Sequence, residues 1–169
     1  MHSEKVVFIG YHGTKFKNID NIVNTGFNPS LKGWLGKGVY FFQEDKELAN
    51  NWGKRRYLNQ KVGVIKREIH VDKDIIFDIT NPLSIQNKDF QKNRESFIAV
   101  MERKGYIINE NTKESFEGKV IDAICIKKKY SVVRAFTYTY QDYDKRYKLQ
   151  SKFANGIELC VKNTCCIIE

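Results

Sequence analysis

Short apolar blocks and alternating apolar and polar residues recur along this chain and predict its strands. A β-strand sends successive side chains to opposite faces, so a half-buried strand alternates and a fully buried strand is continuously apolar. Residues 62–71 (VGVIKREIHV) alternate, whereas residues 6–11 (VVFIGY) and 39–42 (VYFF) are almost continuously apolar. The same criteria predict four more strands, at residues 74–79, 119–126, 131–140 and 155–161.

Helical spacing of apolar residues appears in three other segments. The first lies between Asn18, a suitable N-cap, and Gly26, a suitable helix stop. The second is expected to begin after Asp45 and to end at Gly53. The third, residues 87–104, places four large apolar side chains on one helical face.

These elements predict an α+β domain with a mostly antiparallel sheet. The 169 residues suffice for one domain with a hydrophobic core, and neither a linker nor a repeat divides the span 1–169. No stretch approaches the roughly 18 apolar residues of a membrane-spanning helix. The first residues also lack the layout of a signal peptide, so we expect a cytoplasmic protein with no membrane partner.

The cysteines and histidines argue against a metal site. The four cysteines, at positions 125, 160, 165 and 166, show no CxxC spacing, and the chain has only three histidines. We therefore expect reduced thiols and no bound metal.

Three polar residues lie in or at the ends of predicted strands. His12 closes the first strand, Tyr40 lies inside the second, and Glu158 lies between Ile157 and Leu159 in the last. Each has an ordinary structural explanation when it is taken alone: a hydrogen-bonded histidine, a packed tyrosine, and a glutamate on the outer face of an alternating strand.

Together with their neighbours, these residues resemble the ADP-ribosyltransferase catalytic domain of the poly(ADP-ribose) polymerase and diphtheria-toxin type. His12 is followed by Gly and Thr in YHGT, and Tyr40 follows a Gly-Lys-Gly turn and precedes Phe in GWLGKGVYFF. An Ala-Asn pair in the next helix and the glutamate of NGIELCV complete the resemblance, which spans residues 8–167. Its middle, residues 61–119, rests on length and strand order. It implies an ADP-ribosyltransferase-like fold, with a mostly antiparallel split β-sheet core and a few flanking helices.

The resemblance implies that NAD is the substrate. Tyr40 would stack on the nicotinamide, and the glycines before it would let the backbone approach NAD. His12 would hydrogen-bond the adenosine-side ribose, Gly13 would meet the carboxamide with its backbone N–H and C=O, and Thr14 would orient the phosphate or ribose end. Glu158 would bond the nicotinamide-ribose hydroxyl, stabilise the oxocarbenium-like charge and orient the acceptor.

Three positions depart from the family's pattern. The second nicotinamide-stacking aromatic of the family falls at Asn51, and the nearest aromatic is Trp52. Trp52 either stacks on the nicotinamide after a one-residue shift or packs within its helix. Leu48 replaces a serine that touches the carboxamide, and Gly156 stands where arginine-modifying or cytoskeleton-modifying toxins carry Glu or Gln. An arginine acceptor is therefore disfavoured.

The net charge of +9 is concentrated in residues 127–152, which hold eight Lys or Arg, two Asp and five of the nine tyrosines. Basic side chains interleaved with aromatic ones suit a single-stranded nucleic acid, although a solvated edge strand has the same pattern. We expect Lys145, Arg146 and Lys148 to contact the acceptor. RNA or single-stranded DNA is slightly favoured over protein.

Three functions remain open at this point. The first is mono-ADP-ribosylation of a macromolecule, the second is NAD hydrolysis by a glycohydrolase, and the third is non-enzymatic binding of NAD, ADP-ribose or nucleic acid. The filled His-Tyr-Glu positions argue against the third. A small catalytic core of this family also resembles a bacterial or phage-linked toxin or effector, for which an antitoxin or immunity protein would be a partner.

Overall fold

The centre of the molecule is a seven-stranded sheet, seen in a computed structural model that describes residues 3–107, 110–149 and 151–169. The strand order is β4-β5-β6-β2-β1-β3-β7. The strands are β1 (Lys5–Lys15), β2 (Val39–Gln43), β3 (Val62–Asp72), β4 (Ile76–Asp78), β5 (Val132–Thr137), β6 (Gly156–Val161) and β7 (Ile167–Ile168). Within these described residues, β4 and β5 pair in parallel and the other neighbours pair antiparallel. The prediction of an α+β protein is confirmed.

Five α-helices accompany the sheet in the described part of the chain. They are α1 (Ile19–Thr25), α2 (Lys46–Arg56), α3 (Ile85–Arg103), α4 (Glu110–Lys128) and α5 (Asp142–Tyr147). Asp45 caps α2 by accepting a 2.7 Å hydrogen bond from the backbone N–H of Leu48, and Gly26 ends α1 with a positive φ of 85°. No helix among the described residues is long and apolar enough to cross a membrane.

The strand predicted at residues 119–126 is wrong, because these residues belong to α4. Val120, Ile121, Ile124 and Cys125 are buried, whereas Ile126 is exposed. That spacing of i, i+1, i+4 and i+5 is one helical face rather than an alternating strand. The β-branched composition of the segment favoured a strand, but packing of that face against the sheet decided its structure.

Other predicted boundaries also differ from the structure. Strand β1, which was expected to end at His12, continues to Lys15 because it pairs with β3 over its whole length. Helix α2 continues past Gly53 to Arg56, and a Cβ atom on Gly53 would lie 2.6 Å from the Val62 side chain. Gly53 therefore permits close packing of α2 against β3 rather than ending the helix. Strand β5 ends at Thr137, so residues 138–140 form a loop that leads into α5.

Both faces of the sheet carry buried apolar clusters. Phe77, Val133, Ala135 and Cys160 pack with residues of α3 and α4 on one face. Leu159 belongs to a second cluster on the opposite face, as expected for a neighbour of Cys160 on the same strand. Helix α2 adds a third, smaller cluster beside β1 and β2. The candidate site lies where the first and third clusters meet.

The parallel pair β4–β5 is held by a partly buried ion pair. Arg134 donates 2.8 Å hydrogen bonds to the Asp78 carboxylate and to the side-chain oxygen of Gln43. Burial alone raises the pKa of Asp78, but hydrogen bonds from Thr80 and Arg134 outweigh it and hold the pKa below its usual value. Asp78 is therefore ionised at neutral pH.

Candidate functional site

A cleft lies where β1 and β2 separate. The two strands pair at Gly10 and Tyr11, after which β1 continues against β3 as far as Lys15. Strand β2 meanwhile pairs with β6 on its other side. The gap opens a cleft of about 660 Å³, which has the size of a cavity for a cofactor or a drug-sized ligand.

The cleft receives side chains from both faces of the sheet. Glu158 is paired with Phe42, and Tyr40 lies two residues before Phe42, so Tyr40 and Glu158 project from the same face. The His12 ring instead contacts Phe41, whose side chain lies on the opposite face. All three predicted residues line the cleft, together with Gly13, Thr14 and Trp52.

Gly13 presents to this cleft a backbone edge that pairs with no strand in the described part of the chain. The carbonyl of Ile9 accepts a 2.8 Å hydrogen bond from the N–H of Glu44, which follows β2. Backbone groups alternate in direction along an antiparallel strand, so the N–H and C=O of Gly13 point the same way as those of Ile9. At Gly13, β2 has already turned away. Both groups are thus directed toward a ligand in the cleft.

His12 is held in one tautomer by the backbone of β2. Its Nδ1 lies 2.7 Å from the carbonyl oxygen of Tyr40, so Nδ1 carries the proton and donates it. Burial lowers the pKa of His12 more than this hydrogen bond raises it, so the ring is neutral at pH 7. Its Nε2 is then an acceptor for a ligand hydroxyl group.

The Tyr40 side chain is fixed by the turn that precedes it. Its hydroxyl donates to the carbonyl of Gly36 at 2.6 Å and accepts from the N–H of Leu35 at 3.0 Å. Burial, followed by the nearby Cys160 and Glu158, raises the pKa of Tyr40 far above its usual value, so the phenol stays protonated. The hydroxyl is occupied by the protein, which leaves the ring as the part that contacts a ligand.

The glycines of this turn serve contacts within the protein. A Cβ on Gly33 would lie 2.2 Å from the Tyr40 hydroxyl, and one on Gly36 would lie 2.1 Å from a carboxylate oxygen of Asp122 in α4. The N–H of Lys37 also donates to Asp122 at 3.0 Å. Close packing of the turn against Tyr40 and α4 therefore accounts for these glycines.

Glu158 is a buried carboxylate with only 7% of its surface exposed. The indole Nε1–H of Trp34 donates to its Oε2 at 2.9 Å. Burial raises the pKa of Glu158, and hydrogen bonds from Trp34 and Thr137 oppose this effect without cancelling it. A buried carboxylate with a raised pKa in a cleft is typical of functional sites.

Trp34 is the site residue that the sequence analysis missed. It lies in the turn before β2, 124 positions from Glu158 in the chain. The available signal was its chemical type, because a buried indole N–H needs an acceptor. The residues around Trp34 in the chain do not indicate which group is that acceptor.

Helix α2 carries or contacts the residues at which the sequence departs from the family's pattern, namely Trp52 beside Asn51, Leu48 and Gly156. Trp52 lines the cleft and packs against Phe42 and its neighbours. Asn51 donates to Gln141 at 3.4 Å. Leu48 is buried, and a Cβ on Gly156 would lie 2.3 Å from it, so a Glu or Gln at position 156 would collide with Leu48.

The proposed acceptor residues lie apart from this cleft. Lys145 and Arg146 belong to α5 and Lys148 follows it, and all three are exposed. None of them lines the cleft. The structure therefore brings together His12, Tyr40 and Glu158 but leaves the basic residues on the outer surface beyond β5.

The described residues also bear on metal binding and on relationships to other proteins. No group of three or more His, Cys, Asp or Glu within them is placed to hold a metal ion. Comparison of the chain with protein-family models, with curated proteins and with solved structures found no match.

Proposed function

We propose that this protein is an NAD-dependent ADP-ribosyltransferase with an ADP-ribosyltransferase-like fold, which transfers ADP-ribose to a macromolecular acceptor. The observation that carries the proposal is the cleft between β1 and β2. His12, Tyr40 and Glu158 come from three different strands and line this single cleft, in the order that the family resemblance assigns to them. The unpaired backbone edge of Gly13 lies in the same cleft.

The cleft offers a distinct contact to each part of NAD. The nicotinamide carboxamide has one donor group and one acceptor oxygen, which match the C=O and N–H of Gly13. The exposed side of the Tyr40 ring stacks on the pyridinium, and Trp52 lies on the wall beside it. His12 accepts from a ribose hydroxyl through Nε2, and Thr14 contacts the ribose or phosphate end.

Glu158 has the catalytic role in this proposal. The bond between nicotinamide N1 and ribose C1′ breaks, and nicotinamide leaves with the electron pair. Positive charge then develops on the ribose, where a carboxylate held by Trp34 stabilises it without reorganising. The acceptor forms the new bond to C1′ and gives its proton to Glu158.

The test follows nicotinamide release and the fate of labelled ADP-ribose together. Purified protein is incubated with NAD labelled in the adenosine part and with cell lysate, which is then digested separately with protease and with nuclease. Glu158→Gln keeps the size and hydrogen bonding of the side chain, and should lower the rate by about 10²–10³. Glu102→Gln, an exposed glutamate on α3, is the matched control and should retain wild-type rate.

The outcomes separate the possible activities. Transfer of label to macromolecules that depends on Glu158 supports the proposal. Nicotinamide release without transfer would make the protein a glycohydrolase, with water as the acceptor in the same site. Glu158→Gln working at wild-type speed, or no NAD turnover at all, would overturn the proposal.

A further inference from the structure

A second cleft adjoins the first one at Glu158. It has a volume of about 380 Å³ and shares Trp34, Trp52 and Glu158 with the first cleft. Its remaining walls come from the end of β5, the loop that follows it, and Arg55 of α2. Glu158 therefore stands at the junction of two connected cavities.

The walls of the second cleft are rich in aromatic side chains. Tyr138 and Tyr140 line it along with Trp34 and Trp52. Tyr140 is 40% exposed, although its ring is large. Exposed aromatic groups gathered around one concave surface mark a binding site better than they mark a core. Their flat faces suit a planar ring as the ligand.

One polar group in this cleft is left without a partner. The Nε of Arg55 is buried and makes no hydrogen bond within the described part of the chain, while its guanidinium lies 5.9 Å from the centre of the Tyr140 ring. Buried donors are almost always hydrogen-bonded in folded proteins. Arg55 also lines the cleft, so the outer N–H groups of its guanidinium can donate to an acceptor atom of a ligand.

The aromatic wall is held in place by a buried carboxylate. Asp144 of α5 is 3% exposed and accepts a 2.6 Å hydrogen bond from the Tyr138 hydroxyl and a 2.7 Å bond from the N–H of Gln141. Asn155 additionally bridges both backbone groups of Thr139, at 2.8 and 2.7 Å. These bonds fix the loop after β5 without using the Tyr140 hydroxyl. The Tyr140 ring packs edge-on against Tyr138 and keeps 40% of its surface exposed.

The surface beside this wall is basic. Lys145, Arg146 and Lys148 are exposed on and just after α5, which carries the buried Asp144 on its inner side. Tyr143 and Tyr147 of the same helix are 58% and 64% exposed. A chain of phosphates would be attracted to this surface, and its unpaired bases could stack on the exposed rings.

We propose that the second cleft binds one unstacked base of a single-stranded nucleic acid, and that this base is the acceptor of ADP-ribose. The inference rests on the proposed function. The flat aromatic walls and the Arg55 guanidinium match a planar heterocycle with a carbonyl or ring-nitrogen acceptor. A serine or carboxylate side chain of a protein has no ring to stack on these walls. A nitrogen or oxygen of the base attacks C1′ of the NAD ribose, nicotinamide leaves with the bonding electrons, and the base loses its proton to Glu158.

The experiment measures nucleic-acid binding and NAD binding separately. Labelled single-stranded DNA and RNA of mixed sequence are titrated with the protein by fluorescence anisotropy, with a duplex of the same sequence as a comparison. NAD affinity is measured by calorimetry. Tyr140→Ala should weaken single-strand binding about tenfold, because one stacked base is lost, and Arg55→Met should also weaken it. Tyr106→Ala removes a ring that is 63% exposed elsewhere and is the matched control.

Label from NAD is then followed onto the same oligonucleotides. Transfer to a single strand that falls in Tyr140→Ala and Arg55→Met but not in Tyr106→Ala supports the inference. Equal binding of single strand and duplex, unchanged binding by Tyr140→Ala, or transfer to protein alone would overturn it. A protein that binds oligonucleotides through Tyr140 but neither binds nor cleaves NAD would refute the proposed function and the transfer step, while leaving the base-binding cleft established.

Discussion

Replacing Trp34 by phenylalanine tests how the protein stabilises the buried charge of Glu158. The substitution removes the indole N–H that donates to Oε2 of Glu158 at 2.9 Å. The Glu158 carboxylate, which is only 7% exposed in the wild type, then has one hydrogen-bond donor fewer. A hydrogen bond to a charged group contributes about 1.5–3 kcal/mol, whereas a neutral one contributes about 1 kcal/mol. The free energy of unfolding should therefore fall by about 1.5–3 kcal/mol where Glu158 is ionised.

The pH dependence of this loss identifies its cause. The folded-state pKa of Glu158 lies above its unfolded value, so ionisation of Glu158 reduces stability as pH rises from the unfolded pKa to the folded one. Without Trp34 the folded pKa rises further and the reduction is larger. The difference in free energy of unfolding between wild type and Trp34→Phe should be largest at pH 8. It should shrink toward about 1 kcal/mol as Glu158 becomes protonated.

Urea unfolding at a series of pH values measures this difference. Trp52→Phe is the control, since its indole nitrogen donates no hydrogen bond within the described residues and the same ring area is removed. In a Glu158→Gln background, Trp34→Phe should lose its pH dependence. Equal losses for the two Trp→Phe variants, or a loss from Trp34→Phe that stays constant with pH, would refute the reasoning.

Three further outcomes follow from the contacts described above. Glu158→Gln should raise the free energy of unfolding at alkaline pH, because the desolvated charge is gone, and this gain should vanish in acid. A loss at alkaline pH in urea titrations would contradict it. Gly13→Ala should destabilise the fold by about 1–3 kcal/mol, since the new Cβ would lie 2.2 Å from the Ala49 carbonyl oxygen, and an unchanged melting temperature would speak against that contact. Arg134→Met should cost about 1 kcal/mol at pH 7, where Asp78 is ionised and partly exposed. The part of this cost that comes from Asp78 should disappear as acid protonates its carboxylate below its lowered pKa, whereas the part that comes from the bond to Gln43 should stay. A pH series of thermal melts would show or exclude this change.

The sequence predicted much of the sheet because alternation and apolar runs carry direct information about strands. Strands β2, β3 and β6 lie where the apolar pattern puts them, and β1 begins there but continues past the apolar run to Lys15. The exception at residues 119–126 shows the limit of composition, since isoleucine and valine favour strands but a helix can bury them on one face equally well. The exposed Ile126 distinguishes a helical face from a buried strand in this segment, and the sequence pattern alone does not show which residues are exposed.

The candidate site was predictable only where it depends on residue type at short spacing. His12, Gly13 and Thr14 are consecutive, and Tyr40 belongs to the same turn as its glycines. Contacts that join distant segments were not predictable: Trp34 with Glu158, and the Arg55 side chain beside Tyr140. They depend on how α2, β6 and the turn before β2 pack together, for which the linear sequence holds no local signal.

The short seam between β1 and β2 divides the sheet into two mechanical parts. One part holds β1, β3 and β7, and the other holds β2, β6, β5 and β4. Only two paired positions join β1 to β2, whereas eleven join β1 to β3. Relative bending across so short a seam breaks few hydrogen bonds, so we expect the sheet to be compliant there. A dinucleotide lying in the gap would touch Gly13 on one part and Glu158 on the other. Its binding would link the two parts, and the stiffness of the whole sheet would depend on whether the gap is filled.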